Sequence, residues 1–437
     1  MKTINLFTCC LASAALLFTG CVRDEIVSPP RPQPEITLLG TYSLHVGQPL
    51  STLTPGGTAV FGVEKVEGAF AWKNGAAAFD RTGEYDAEWI FTPADAGVYE
   101  SVEGTEVITV HPNIYACGRS LLDSDVAKVW KNGELLYDLP GEISGTTSVF
   151  SIVVSDGNVY VAGYSKGPSS DYIAKVWKNG ELLYNLPGES FGDTSASSLV
   201  VSDGNVYAIG NSMGPSNNYI AKVWKDGELL YNLPGEGFGN TSASSLAVSD
   251  GNVYVSGYSV GPSDENIAKV WKNGELLYNL PGEGLGYTRA YSLVVSDGNV
   301  YVCGHSKVSP GVYAAKVWKN GELLYNLPGE SNTITITYSL AVSDGNVYVS
   351  GYSVGRPSNE YIAKVWKNDE LLYNLPDKNG STNAFSLAVS DGNVYIGVIK
   401  WIESILPNFS EVWKNGELLF TSEENVYWLS MAIESEL

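Results

Sequence analysis

Most kinds of catalytic chemistry are excluded by what this chain lacks. It carries three histidines, His45, His111 and His305, and five cysteines. No nucleophile elbow, zinc-ligand spacing, phosphate loop or dinucleotide fingerprint occurs. Three scattered histidines offer no metal cluster, so no metal and no cofactor is expected. One constellation could move a proton: His305 with Tyr258, Tyr352 and Arg289. A neutral imidazole can take a proton, and a guanidinium can steady the negative charge that develops. A glycosidase would instead need two carboxylates about 5 to 10 Å apart. Asp171, Asp264, Glu265 and Glu360 qualify by location only.

Two further series suit binding better than turnover. One, expected at the end of the second strand of each repeat, is Arg119, Tyr164, Asn211, Tyr258, His305, Tyr352 and Ile399; the other, expected just before each first strand, is Phe150, Ser197, Ser244, Tyr291, Tyr338, Phe385 and Leu429. Aromatic rings stack on the C–H faces of sugars, while amides and guanidinium bind hydroxyls and carboxylates. The ligand-binding set expected from them is Arg119, Tyr164, Asn211, Tyr258, His305, Tyr352, Tyr291 and Tyr338. The catalytic alternative is His305, Tyr258 and Arg289. The plainer alternative for any one aromatic is packing between repeats.

Each series recurs because the chain repeats itself. The phrase Val-Trp-Lys-Asn-Gly-Glu-Leu-Leu-Tyr, or a near copy, carries Trp130, Trp177, Trp224, Trp271, Trp318, Trp366 and Trp413, spaced by 47 residues with one gap of 48. Val-Ser-Asp-Gly-Asn-Val-Tyr recurs with Asp156, Asp203, Asp250, Asp297, Asp344 and Asp391. A period of this size marks a solenoid, propeller or array. Each period reads as four short strands, and Asp-Gly or Asn-Gly between alternating runs is the strongest short hairpin signal. The seven tryptophans are expected in packing, and the aspartates in turns rather than calcium loops. Cys117 and Cys303 fall at one motif position in the first and fifth copies, which are not neighbours, so no disulfide joins them.

The chain ends suggest closure. The first copy opens at Asn113, without the first strand, and that strand reappears at Trp428 to Glu434. The expected fold is therefore all-β, with a seven-bladed β-propeller over 112–437 whose C-terminal strand closes the first blade. It resembles the closure of known β-propellers, although the WD dipeptide and kelch motifs are absent. The tight hairpins share one end. Variable loops, such as Gly167 to Tyr172, Gly214 to Tyr219, Ser309 to Tyr313 and Ile402 to Pro407, share the other, which is the expected working face. The set His305, Tyr258 and Arg289 resembles the base, acid and arginine of polysaccharide lyases built on seven-bladed propellers. That resemblance implies an acidic polysaccharide substrate.

Upstream, residues 1–20 read as a signal peptide, apolar from Ile4 to Phe18. Phe18-Thr19-Gly20-Cys21 resembles a bacterial lipobox, which implies lipidation at Cys21. Arg23-Asp24-Glu25 is similar to the tag that sends lipoproteins of Bacteroidota to the outer face of the outer membrane. The Pro-rich stretch within 21–35 is a stiff spacer. Residues 36–111 alternate as a small antiparallel sandwich. Gly68-Ala-Phe-Ala-Trp72 and Phe91-Thr-Pro-Ala-Asp95 resemble immunoglobulin-like modules of bacterial surface proteins. A net charge of −22 offers no stripe for phosphates, so no nucleic-acid partner is expected.

These features imply a cell-surface outer-membrane lipoprotein. Its expected partners are a glycan or protein ligand and, through the lipid anchor, the membrane. The propeller would be a non-enzymatic binding module. Alternatives are a carbohydrate-active enzyme on the same face and a purely structural display protein.

Overall fold

The computed structural model describes residues 30–120, 126–141, 146–169, 171–189, 192–237, 239–283, 285–329, 333–354, 360–375, 380–402, 409–422 and 426–434. The segment expected to be a signal peptide, Cys21 and most of the stretch from Ile402 to Pro407 lie outside them. Among the described residues the chain is all-β, apart from one 3-10 turn at Leu50–Thr52.

The described residues divide into two compact units: residues up to 41 with 54–75 and 87–106, and residues 42–53 with 76–86 and 107 onward. In the smaller unit, Glu35–Leu38 and Glu64–Lys65 flank Gly57–Phe61 in a three-stranded sheet. Gly68–Trp72 pairs with Gly83–Pro93 over Gly68↔Pro93 to Trp72↔Trp89, and Phe70 packs on Phe91 at 4.8 Å.

In the larger unit the repeats make seven four-stranded antiparallel sheets. One is Thr147–Ser155, Asn158–Lys166, Tyr172–Lys178 and Glu181–Asn185. Its hairpins turn at Asp156-Gly157 (φ 48° and 67°) and Asn179-Gly180 (φ 50° and 86°). Positive φ at both central positions is the two-residue turn that Asp-Gly and Asn-Gly favour. The first repeat draws a strand from the chain's far end: Val426–Glu434 pairs with Asn113–Ser120, from Val426↔Ser120 to Glu434↔Asn113. Each first strand packs on the next, from Thr147–Ser155 through Thr194–Ser202, Thr241–Ser249, Thr288–Ser296, Thr335–Ser343 and Gly380–Ser390 to Val426–Glu434. That last strand meets Thr147–Ser155 again. Four-stranded sheets whose inner strands follow one another round a circuit form a β-propeller.

The repeated tryptophan is structural. Trp177, Trp224, Trp271, Trp318 and Trp366 are fully buried, and each indole N–H donates to a proline carbonyl one repeat back, such as Trp177 to Pro140 at 2.9 Å. Ring area and hydrogen bond together fix the sheet-to-sheet distance. Buried lysines are tied likewise: Lys222 reaches Glu189 at 2.6 Å and Asn232 at 2.8 Å. Cys117 and Cys303 are buried free thiols.

Candidate binding site

The site begins with a backbone irregularity. Every first strand carries one unpaired extra residue: the register shifts between Val149 and Ser151, Ala196 and Ser198, Ala243 and Ser245, Ala290 and Ser292, Thr337 and Ser339, Ala384 and Ser386, and Trp428 and Ser430. The extra residues are Phe150, Ser197, Ser244, Tyr291, Tyr338, Phe385 and Leu429. The sequence places them just before the first strand; the structure places them inside it, at a β-bulge. A bulge re-aims its side chain, and all seven line one cavity of about 600 Å³.

In six repeats a glycine of the second strand pairs with the residue before the bulge; in the seventh Val398 holds that place and Gly397 stands one residue earlier. A Cβ on Gly210 would stand 1.8 Å from the Ser195 carbonyl oxygen, so only glycine fits. The serine after each bulge also lines the cavity. These hydroxyls hold neighbouring repeats together: Ser245 accepts from the Leu293 N–H at 3.1 Å, and Ser292 from Leu340 at 3.2 Å. Sequence reading missed this ring, although a serine stands at that position in every copy.

The cavity is lopsided. In two adjacent repeats the bulge residue is Ser197 or Ser244, and Asn211 binds back to Ser242 at 3.2 Å and to the Ala243 N–H at 3.2 Å. In the next repeats the aromatics touch in sequence. His305 packs on Tyr291 at 5.3 Å, Tyr291 on Tyr338 at 5.8 Å, Tyr338 on Tyr352 at 6.0 Å and Tyr352 on Tyr361 at 4.9 Å. Tyr287 and Tyr313 extend this crescent beyond His305 at 6.0 and 5.4 Å. Arg289 lies 4.3 Å over Tyr258 and 4.9 Å over Tyr287. Its Nε is buried without a hydrogen-bond partner, as are His305 Nδ1 and Asn383 Oδ1.

Burial sets the acid–base character here. It pushes the Tyr291 and Tyr338 hydroxyls up and strongly raises that of Tyr352. His305 is lowered to about 4, by burial first and then by Arg289 beside it, so its imidazole is neutral at pH 7. The structure thus brings His305, Arg289 and Tyr258 together. Yet His305 is only 2% exposed, with Tyr287 and Tyr291 stacked against it. A general base must reach the proton it takes, and a polymer lying in the cavity does not meet this imidazole.

The remaining expected residues scatter. Arg119 sits 6.0 Å over Tyr427 and shares a separate cavity of about 280 Å³ with Tyr164, Phe150 and Leu429. Tyr164 packs on Tyr172 at 4.6 Å. Ile399 is buried beside the main cavity. None of Asp171, Asp264, Glu265 and Glu360 lines that cavity. Glu265 accepts from the Ser263 N–H at 2.8 Å, and Asp264 holds a positive φ of 64°, both within one turn. Among the described residues no cluster of three or more His, Cys, Asp and Glu could hold a metal ion. Tyr287, Tyr313, Tyr361, Asn383 and Trp401 escaped the sequence reading. Tyrosine opening the third strand, as at Tyr172, Tyr219 and Tyr361, was the available signal.

No protein-family model and no curated protein matches the chain. Among solved structures, it is similar to a quinoprotein alcohol dehydrogenase-like protein from Bacteroides thetaiotaomicron. The identity is 12% and the TM-score 0.39, over 92% of this chain and 98% of that one. The Dos1 propeller matches at 13% identity and a TM-score of 0.40, over 81% and 82%. Extracellular domains 1-2 of Drosophila semaphorin 1a match at 10% and 0.38, over 65% and 84%. Likenesses this distant carry no function, and the propeller rests on the sheet topology itself.

Proposed function

We propose that this chain is a surface lipoprotein whose propeller, read as seven-bladed, binds a glycan without turning it over. Lipidation at Cys21 would hold it to the outer membrane, with the immunoglobulin-like segment as spacer. One observation carries the reading: the bulge residues converge on a single cavity whose wall holds the rings of Tyr291, Tyr338, Phe385 and Trp401 together with the polar side chains of Ser197, Ser244 and Asn211. Sugars present alternating C–H and hydroxyl surfaces, which such a wall complements.

The test is an array of bacterial and plant polysaccharides probed with the purified chain and with Tyr291→Ala and Tyr338→Ala. Binding by the wild type that falls about tenfold or more in either variant is expected, since a stacked ring contributes on the order of 1.4 kcal/mol. An array with no bound glycan removes the reading and leaves a protein ligand or a display role.

The enzyme alternative has one observation in its favour, the meeting of Arg289, His305 and Tyr258. If it holds, His305→Ala abolishes unsaturated product from acidic polysaccharides. Product formation absent in the wild type, or unchanged in the variant, discards it.

A further inference from the structure

Beside the crescent lies a second cavity of about 490 Å³, lined by Tyr338, Tyr352, Tyr361, Ser381, Asn383 and Trp401. The side chains come from the sixth and seventh repeat sheets: Ser381 pairs with Trp401, and Tyr361 opens a third strand opposite Val354. Among the described residues, no charged side chain lines it. Its walls are four aromatic rings, and Tyr361 is 44% exposed, which leaves its face open to a ligand.

The polar atoms are few and unevenly satisfied. The Asn383 and Tyr352 side chains approach the Tyr338 hydroxyl. A phenol oxygen can accept from such neighbours and still donate its own proton. Asn383 Oδ1, in contrast, is buried and accepts nothing. A buried acceptor without a donor is rare in folded proteins and calls for an explanation. Ser381 Oγ accepts the Tyr361 N–H at 3.1 Å and so also retains a proton to donate. Among the described residues, the cavity therefore presents a vacant acceptor next to hydroxyl donors, against an aromatic wall without a charged side chain.

We infer that this cavity is a subsite for one uncharged sugar ring, with a C–H face on Trp401 and Tyr361 and a hydroxyl donating to Asn383 Oδ1. The inference rests on the glycan reading above and narrows it. A hydroxyl both donates and accepts, which matches this pairing. A uronate carboxylate would lose its water here and find no cation among the described lining residues, so a neutral ring is the better fit at this position.

The experiment is saturation-transfer NMR on the purified chain with four probes: methyl β-glucopyranoside, methyl β-galactopyranoside, methyl α-mannopyranoside and methyl β-glucuronide. At least one neutral glycoside is expected to receive saturation, concentrated on one C–H face, and the glucuronide none. Asn383→Ala should weaken that binding about tenfold, Trp401→Ala should remove it, and Trp401→Phe should restore most of it. Trp401→Phe also guards against a folding defect in the alanine variant. A glucuronide bound as well as the neutral probes, no neutral glycoside bound at all, or transfer unchanged in both alanine variants overturns the subsite. The polysaccharide array separates this failure from that of the parent reading. Binding that Tyr291→Ala removes while Trp401→Ala and Asn383→Ala leave it intact refutes the subsite alone.

Discussion

His305 has lost its contact with water to Tyr287, Tyr291 and Tyr313, and that burial has a thermodynamic signature. Its folded-state pKa of about 4 lies below the ordinary imidazole value of 6.5. The unfolded chain therefore binds the proton first as pH falls. Stability is full above the unfolded pKa and is lost as pH drops from 6.5 toward 4. At pH 5 the loss is about 2 kcal/mol for this one group. His111 is likewise lowered to about 4 by burial, so part of the effect belongs to it. Melting of the wild type and of His305→Gln between pH 7 and pH 5 divides the two. The variant is expected to lose less stability on acidification, by about one proton's worth of slope. Parallel curves would mean that His305 takes up its proton in the folded protein.

The bulge is the element on which the site depends, and its glycine partner is the point at which it can be broken. A Cβ at Gly304 would stand 2.0 Å from the Arg289 carbonyl oxygen, a backbone atom held in the sheet. Gly304→Ala is expected to cost about 2 to 4 kcal/mol and to displace Tyr291, so thermal melting and glycan binding should fall together. Normal binding with a lowered melting temperature would show that the bulge does not set the aim of Tyr291. The turns were legible in the sequence because Asp-Gly and Asn-Gly have few other uses between alternating runs. The bulges were not, because an extra residue interrupts the period of two and reads as the end of a strand. Tyr291 and Tyr338 were therefore found as positions while their common aim stayed hidden. Asn383 and Trp401 were hidden differently: their positions vary from copy to copy, with Arg289 and Ile336 in place of Asn383 and Lys307 and Val354 in place of Trp401, and only pairing across the sheet brings them beside Tyr338. The outer strands carry a bulge as well. In the second sheet the register skips Leu183, between Leu182 and Tyr184. An edge bent in this way pairs poorly with other chains, which suits a repeat array that would otherwise present flat, leucine-bearing edges.

At the scale of the whole array, closure depends on one strand. Val426–Glu434 supplies the inner strand of the first repeat sheet and packs against the inner strands on both sides. Trp428, Val426 and Met431 are buried there, and Ser410 Oγ bridges the Val426 carbonyl at 3.0 Å and the Trp428 N–H at 2.9 Å. The strand has no covalent turn to Asn113, and side chains serve instead. The Glu434 carboxylate accepts from Asn113 Nδ2 at 3.1 Å and from the Tyr115 hydroxyl at 3.0 Å. Exposing three buried apolar side chains costs about 1.5 to 3 kcal/mol each, a sum comparable to the whole stability of an ordinary domain. Truncation after residue 425 is therefore expected to remove the cooperative melting transition and to expose apolar surface that binds a hydrophobic dye. Adding the peptide 426–437 in excess should restore the transition, because the groove between Asn113–Ser120 and the neighbouring inner strands is shaped for it. If the truncated chain melts as the full one does, the ring is held by contacts between sheets alone. The crescent would then survive with its first sheet incomplete. If the transition is lost and the peptide fails to restore it, the strand is needed while the array folds, before a groove exists to receive it.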